Sequence, residues 1–109
     1  MSSKIKSKDV DFLFDAILKL QTREECYMLF EDLCTVQEMK ALSQRLVVAK
    51  MLSEGKVYSD IVKTTGASTA TISRVNRSLQ YGADGYRLAL DRLETSGLIQ
   101  QKEEKDSNV

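Results

Sequence analysis

The chain of 109 residues has a formal net charge of zero, 42% hydrophobic residues, two cysteines, and neither proline nor histidine. This length and composition fit a single all-α domain, and neutrality argues against indiscriminate binding of nucleic acid. Catalysis, a metal site and a cofactor are not expected, because there is no histidine, no phosphate-cradling glycine loop and no activating partner for Cys26 or Cys34.

The first helix of the chain carries more apolar residues than one subunit can bury. Residues 1–8 are polar and basic and are predicted to form a mobile arm ahead of one helical domain over residues 9–96. The helix that follows is too rich in apolar residues for a single narrow stripe to hold them. We therefore expect part of it to pack against a second copy of the chain. The predicted interface residues are Phe12, Phe14, Ile17 and Leu18.

Two capping boxes mark the next helix starts. In TREE (22–25) and TVQE (35–38), a threonine at the N-cap is followed three residues later by a glutamate. The helix after the second box is predicted to run to about Glu54, where Gly55 ends it. Both cysteines are expected to pack as small apolar side chains in these helices.

The stretch YSDIVKTTGASTATISRVNRSLQ (58–80) has the spacing of a helix-turn-helix. Ile61 and Val62 are predicted to form the inner face of its first helix, and Gly66 supplies the turn. The second helix has apolar residues at i, i+3 and i+7, which predicts a stripe packed on the rest of the domain. The stripe consists of Ile72, Val75 and Leu79.

The opposite face of this second helix has small hydroxyl groups and cations but no acid, which favours DNA binding. Short side chains let a helix approach the floor of a groove, and arginine can reach phosphate or guanine. Residues 55–81 contain four bases and one acid, a charge of +3, whereas residues 1–34 contain five bases and seven acids, a charge of −2. Ser68 or Thr69 is the expected N-cap. The predicted DNA-binding residues are Lys63, Ser68, Thr69, Ala70, Thr71, Ser73, Arg74, Asn76 and Arg77.

An ordinary helical hairpin is the alternative to this interpretation. Thr65 lies where the helix-turn-helix pattern prefers a larger apolar residue, and Val62 lies where it prefers alanine. After the motif, residues 81–84 are predicted to interrupt the helical structure, and Asp84 is predicted to cap a last helix. The polar residues 97–109 are predicted to be a disordered tail.

The segments GASTATISRVNRSL and LCTVQEMKALSQRLVVAKMLSEGK resemble the Trp repressor superfamily, and YGADGY is similar to its YerC group. The resemblance covers roughly Phe12 to Leu93. It implies about six helices, with the N-terminal helices of two chains interlocked in a homodimer. It also implies a sequence-specific transcriptional regulator, a repressor, that binds palindromic double-stranded DNA with half-sites about one helical turn apart.

The resemblance also implies positions for a corepressor pocket. Val75 stands where tryptophan-binding members have a glycine that leaves room for the indole ring. Tryptophan is therefore not expected as the corepressor, and binding of another small molecule stays open. Arg45 could instead pair with an acid, and Arg74 could contact a DNA phosphate. The implied pocket positions are Thr35, Arg45, Arg74 and Ser78.

Two functions remain open at this point. The first is the DNA-binding regulator, and the second is a protein-interaction adaptor that keeps the helix-turn-helix as a scaffold. The adaptor is considered because Thr, Ser and Ala make few bidentate contacts to bases. In either case, the absence of a signal peptide and of a long apolar run predicts a cytoplasmic protein without a membrane partner.

Overall fold

The computed structural model describes residues 4–99, and their regular structure consists of six α-helices. This confirms the predicted all-α class and helix number. None of these helices is both long and apolar enough to span a membrane. In chain order the helices are α1 Lys8–Lys19, α2 Arg23–Leu33, α3 Val36–Ser53, α4 Tyr58–Thr65, α5 Thr69–Tyr81 and α6 Gly85–Thr95.

The chain divides into two compact units, Met1–Met39 and Lys40–Val109. The first unit contains α1, α2 and the start of α3, and the second contains the rest of α3 and the three later helices. The sequence did not indicate this division, and the single domain over residues 9–96 stays a prediction.

In the first unit, both predicted capping threonines accept a hydrogen bond from the backbone of the glutamate three residues later. Thr22 Oγ1 accepts from the Glu25 N–H at 3.1 Å, and Thr35 Oγ1 accepts from the Glu38 N–H at 3.1 Å. Glu38 Oε1 in turn accepts from the Thr35 N–H at 2.8 Å and completes a capping box. Glu25 Oε1 accepts from the Gln21 N–H at 2.7 Å, one residue earlier than a capping box requires.

The start of α1 lies inside the stretch 1–8 that was predicted to be mobile. Ser7 is its N-cap, and Ser7 Oγ accepts a hydrogen bond from the Val10 N–H at 3.1 Å. Lys8 therefore belongs to the helix rather than to an arm. Residues 1–3 of the predicted arm lie outside the described residues.

Neither α1 nor α2 contains a buried residue. The surplus of apolar side chains seen in the sequence is thus exposed on the single chain, a surface that is unusual unless a partner covers it. Cys26 is exposed as well, contrary to the prediction that it is packed, and Cys34 is half-buried. The predicted interface residues are Phe12 (77% exposed), Phe14 (46%), Leu18 (79%) and Ile17, which is half-buried.

The second unit has a buried core to which α3, α4, α5 and α6 all contribute. The predicted stripe of α5 is buried, since Ile72, Val75 and Leu79 are 0%, 1% and 4% exposed, and Ile72 and Val75 belong to this core. Ile61 is also buried, but Val62 is 36% exposed, so its predicted place on the inner face is wrong. Adjacent residues of a helix point about 100° apart, and a helix packed on one side buries only one of them. The other buried residues are Val48, Ala49, Ala67 and Leu90.

The ends of α3 and α6 show how these helices stop. Gly55 has φ 81°, and the following Lys56 N–H donates to the Met51 carbonyl at 3.0 Å, which closes α3 as the sequence predicted. Asp84 occupies the N-cap of α6 but makes no side-chain cap hydrogen bond, contrary to the prediction. Its φ of 67° departs from the extended conformation that capping side chains normally have.

Order extends into the residues predicted to be a disordered tail. The Leu98 N–H donates to the Leu93 carbonyl at 3.0 Å, and Ile99 packs against the core of the second unit. Residues 97–99 are therefore part of the fold. Residues 100–109 of the predicted tail lie outside the described residues.

Acid is expected to weaken the start of α3 through Glu38. The hydrogen bond from the Thr35 backbone N–H, and secondarily that with its hydroxyl, lowers the pKa of the Glu38 carboxyl. A carboxyl with a lowered folded-state pKa stabilises the fold above its unfolded pKa, about 4.3, and this is lost as the pH falls through the folded-state pKa. Urea unfolding of Glu38→Gln should therefore depend less on acid pH than that of the parent.

Glu31→Gln is the matched control, because Glu31 is an exposed glutamate of α2 whose side chain makes no hydrogen bond to any described residue. Equal acid sensitivity of Glu38→Gln and the parent would show that the capping carboxylate contributes nothing to stability.

Candidate nucleic-acid interface

The corner between α4 and α5 has a backbone that favours glycine. Gly66 adopts φ 74°, in the left-handed region that other residues enter at a cost, and its N–H donates to the Val62 carbonyl at 2.9 Å. A Cβ at Gly66 would meet no atom within 4 Å, so conformation rather than space selects glycine here. Ala67 is 2% exposed, and its small side chain packs beneath the corner.

Thr65 and Gln44 hold this corner with three hydrogen bonds, which we call the corner clamp. Thr65 Oγ1 donates to the Ile61 carbonyl at 2.7 Å and accepts from the Ala67 N–H at 3.1 Å. Gln44 Nε2, on α3, donates to the Thr65 carbonyl at 3.1 Å. The clamp explains why a threonine replaces the apolar residue that the helix-turn-helix pattern prefers at this position.

The start of α5 is capped by Ser68, one of the two predicted N-caps. Ser68 Oγ accepts from the Thr71 N–H at 3.1 Å and donates to Thr71 Oγ1 at 3.1 Å. Thr71 is half-buried and engaged in the cap, so it supports the helix start more than it faces outward. The first amides of a helix and its dipole together favour an anion such as phosphate at this end.

The buried stripe of α5 fixes which residues point outward. Ala70, Ser73, Arg74 and Arg77 follow one another at helical spacing opposite the stripe. Asn76 is half-buried at the edge of the stripe, and so contributes less to the outer face than predicted. The exposed members of the predicted DNA-binding set are Lys63, Ser68, Thr69, Ala70, Ser73, Arg74 and Arg77.

The cations of this surface are not engaged by acids. Lys63, Arg74 and Arg77 form no ion pair with any residue that the structure describes, whereas Lys50 and Glu54 pair at 2.8 Å on α3. Helix α5 contains no acidic residue. Within residues 4–99 no three Cys, Asp or Glu side chains come close enough to hold a metal ion. The outer face of α5 therefore offers positive charge to a phosphate without first breaking an internal pair.

Tyr81 is an exposed residue of this face that the sequence interpretation missed. It was assigned to a break, but it is the last residue of α5 and is 85% exposed. It lies four residues after Arg77 and seven after Arg74, so the three side chains share one side of the helix. This i, i+3, i+7 spacing was readable in the sequence and would have identified Tyr81.

The four positions of the implied corepressor pocket have different surroundings. Thr35, in the first unit, is engaged in the capping box of α3. In the second unit Arg45 is half-buried, and Arg74 and Ser78 are exposed. Val75, beside Arg74 in the chain, is 1% exposed and fills space in the core.

Comparison with known proteins decides the family. The sequence pattern described as Trp repressor protein matches residues 8–94, which contain five complete helices and nearly all of the sixth. The chain belongs to the Trp repressor family. Trp repressor-like proteins are DNA-binding regulators with an all-α fold, so the family and the general type of activity inferred from the sequence are confirmed.

Three similar proteins from bacteria match this chain over most of their length. The uncharacterized protein YerC of Bacillus subtilis strain 168 is 57% identical over 90 residues, covering 83% of this chain and 86% of YerC. A crystal structure of a candidate Trp repressor from Staphylococcus aureus has a TM-score of 0.81 at 57% identity, covering 84% of this chain and 95% of that one. A TrpR like protein from Eubacterium eligens gives 0.82 at 54% identity, covering 90% and 98%.

Removal of the Thr65 hydroxyl should loosen the corner clamp. Thr65→Val keeps the shape of the side chain but leaves the partly buried Ala67 N–H without its acceptor. We expect this to lower the free energy of unfolding by about 1–3 kcal/mol. Urea unfolding and amide exchange at Ala67 measure the effect. Thr65→Ser, which retains a hydroxyl, is the control and should stay close to the parent. A Thr65→Val variant as stable and as protected as the parent would contradict the clamp.

Proposed function

We propose that this protein is a sequence-specific transcriptional regulator, a repressor, that binds a palindromic DNA site as a homodimer in the cytoplasm. One observation carries the proposal: α5 presents an exposed, acid-free face whose orientation is set by a buried stripe on its other side. A rigid helix of this kind is what insertion into a major groove requires.

The residues of α5 suggest a division of labour between base and backbone contacts. Thr69, Ala70 and Ser73 lie in its first half and are short, so this half can lie close to base edges. Arg77 is one turn beyond Ser73 and can span to phosphate. Because small side chains make few bidentate base contacts, water-mediated and shape-dependent readout would supply part of the specificity.

The exposed apolar side of α1 supports the homodimer. Phe12 and Leu18 are more than three-quarters exposed on the isolated chain, and α1 contains no buried residue of its own. Burial of such side chains against a second copy is favoured by about 25 cal/mol for each Å² of apolar surface removed from water. A two-fold dimer presents two recognition helices and hence favours a palindromic target.

Val75 supports a regulator that does not use tryptophan as corepressor. Its side chain is 1% exposed and belongs to the core, so it cannot leave the space that an indole ring would need beside Arg74. We therefore expect free tryptophan to leave the affinity for duplex DNA unchanged. Titration of the selected duplex with and without tryptophan measures this, and a tryptophan-dependent gain in affinity would contradict it.

Arg77→Ala is expected to weaken binding to every duplex, selected or random, because Arg77 binds the phosphate backbone rather than a base. The slope of log affinity against log salt should fall by about 0.9 for each phosphate that is no longer neutralised. Thr69→Ala and Ser73→Ala should instead change the preferred sequence. Arg92→Ala is the matched control, since Arg92 is an exposed arginine on α6. Unchanged affinity of Arg77→Ala at physiological salt would refute the assignment of Arg77.

Selection from a random duplex pool tests the function itself. Enrichment of a palindromic motif by the full chain supports the regulator. Failure to enrich any motif, together with a stable complex with another protein, would favour the adaptor.

A further inference from the structure

An open groove lies between α3 and α4 in the second unit, outside the set of residues assigned to DNA binding above. Its volume is about 380 Å³, and one apolar side chain, that of Val47, forms part of its wall. We propose that this groove holds a backbone phosphate of the same duplex that α5 reads, at the edge of the major groove. The inference rests on the proposed function. The groove is lined by Lys40, Ser43, Gln44, Val47, Thr64 and Thr65.

The groove offers hydrogen-bond donors that suit a phosphate. Lys40 forms no ion pair with any described residue, and no residue three or four positions away on its helix is charged. The Thr64 hydroxyl makes no hydrogen bond within residues 4–99, so it is free to donate. Ser43 Oγ donates to the Lys40 carbonyl at 3.2 Å and contributes to the wall rather than to binding. An ammonium and a neutral hydroxyl are typical phosphate ligands.

The corner clamp gives the groove a fixed floor. Gln44 Nε2 is held by the Thr65 carbonyl at 3.1 Å, which ties the α3 side of the groove to its α4 side. Lys40 lies one helical turn before Gln44, and Thr64 directly precedes Thr65. The two proposed donors, Lys40 and Thr64, therefore lie on α3 and α4, the two helices that the clamp joins. The distance between them does not depend on the conformation of a loop.

The position along the chain also fits DNA. Thr65 and the N-cap Ser68 are three residues apart, so their Cα atoms are at most about 11 Å apart. The major groove is about 12 Å wide, so its bordering phosphates lie about 6 Å from its centre, which is within the reach of a site on Thr65 when the helix start lies at that centre. Lys63, exposed beside Thr64, adds positive charge. Asp60, one turn earlier on α4, is not a lining residue.

A small metabolite fits the groove less well. Sites for small molecules are enclosed and mostly apolar, with a few polar groups that orient the ligand. This groove is instead open to solvent, and five of its six lining residues, two threonines, a serine, a glutamine and a lysine, carry a polar group. A single phosphate held at the surface of a larger molecule needs no enclosure, because the remaining contacts of that molecule supply the affinity.

The test compares Lys40→Gln with Lys50→Gln in the full-length chain. Both lysines lie on α3, but Lys50 is already paired with Glu54 at 2.8 Å. Duplex affinity is measured over a range of salt concentrations, with a random duplex and with the selected one. Lys40→Gln should lower the slope of log affinity against log salt by about 0.9 per subunit and reduce the affinity for both duplexes equally. Lys40→Arg and Lys50→Gln should match the parent, and Thr64→Val should weaken binding without a change of slope.

The outcomes separate the two proposals. If the parent binds no duplex, the proposed function and the groove assignment both fail. If the parent binds but Lys40→Gln keeps its affinity and slope, only the groove assignment fails. The phosphate in the groove could also come from a free phosphorylated molecule instead of DNA. Thermal unfolding in phosphate and in chloride at equal ionic strength tests this alternative. Stabilisation by inorganic phosphate that is abolished in Lys40→Gln, with an unchanged salt slope, would assign the groove to a free phosphorylated molecule and overturn the assignment to DNA.

Discussion

The left-handed corner at Gly66 is the constraint on which the direction of α5, the proposed recognition helix, depends. Glycine permits φ 74° there, Ala67 packs beneath the corner, and Thr65 with Gln44 ties it to α3. Ile61 before the corner and Ile72 and Val75 after it enter the same core, so the angle between α4 and α5 is fixed from both sides. A recognition helix must arrive at a groove with a set direction. In this protein, hydrogen bonds to a threonine and its carbonyl perform part of the fixing that an apolar side chain performs in the usual pattern.

Rotation of α5 about its own axis is set separately, by what it buries. Ile72, Val75 and Leu79 are together almost completely inaccessible, and residues on the other side of the helix have no alternative but to face solvent. Val75 therefore connects two properties. The same methyl groups that hold the helix in the core occupy the space beside Arg74. A helix oriented by its own core needs no ligand to orient it, and this is consistent with a regulator whose recognition helix is formed without tryptophan.

Local patterns in the sequence predicted most of the helices and the α5 face, because caps, glycine turns and apolar periodicity act over a few residues. The positions of Thr22, Thr35 and Gly55 are of this kind. What the sequence did not indicate depends on contacts between distant residues. The bond from Gln44 to Thr65 spans 21 positions, and no periodicity encodes it. Val62, Cys26 and Ile99 were misjudged for the same reason: hydrophobicity alone does not show which side of an element a neighbour covers.

The net charge of zero acquires meaning once the placement of charges is known. Lys63, Arg74 and Arg77 carry no ion pair with a described residue and lie on the helix-turn-helix, whereas the first 34 residues have an excess of acids. A uniformly basic protein would gain affinity for any duplex in any orientation. Here DNA phosphates repel the acidic part of the chain but do not repel α5. The excess positive charge is therefore concentrated on the helix-turn-helix, where it favours contact with phosphate without strengthening non-specific binding by the protein as a whole.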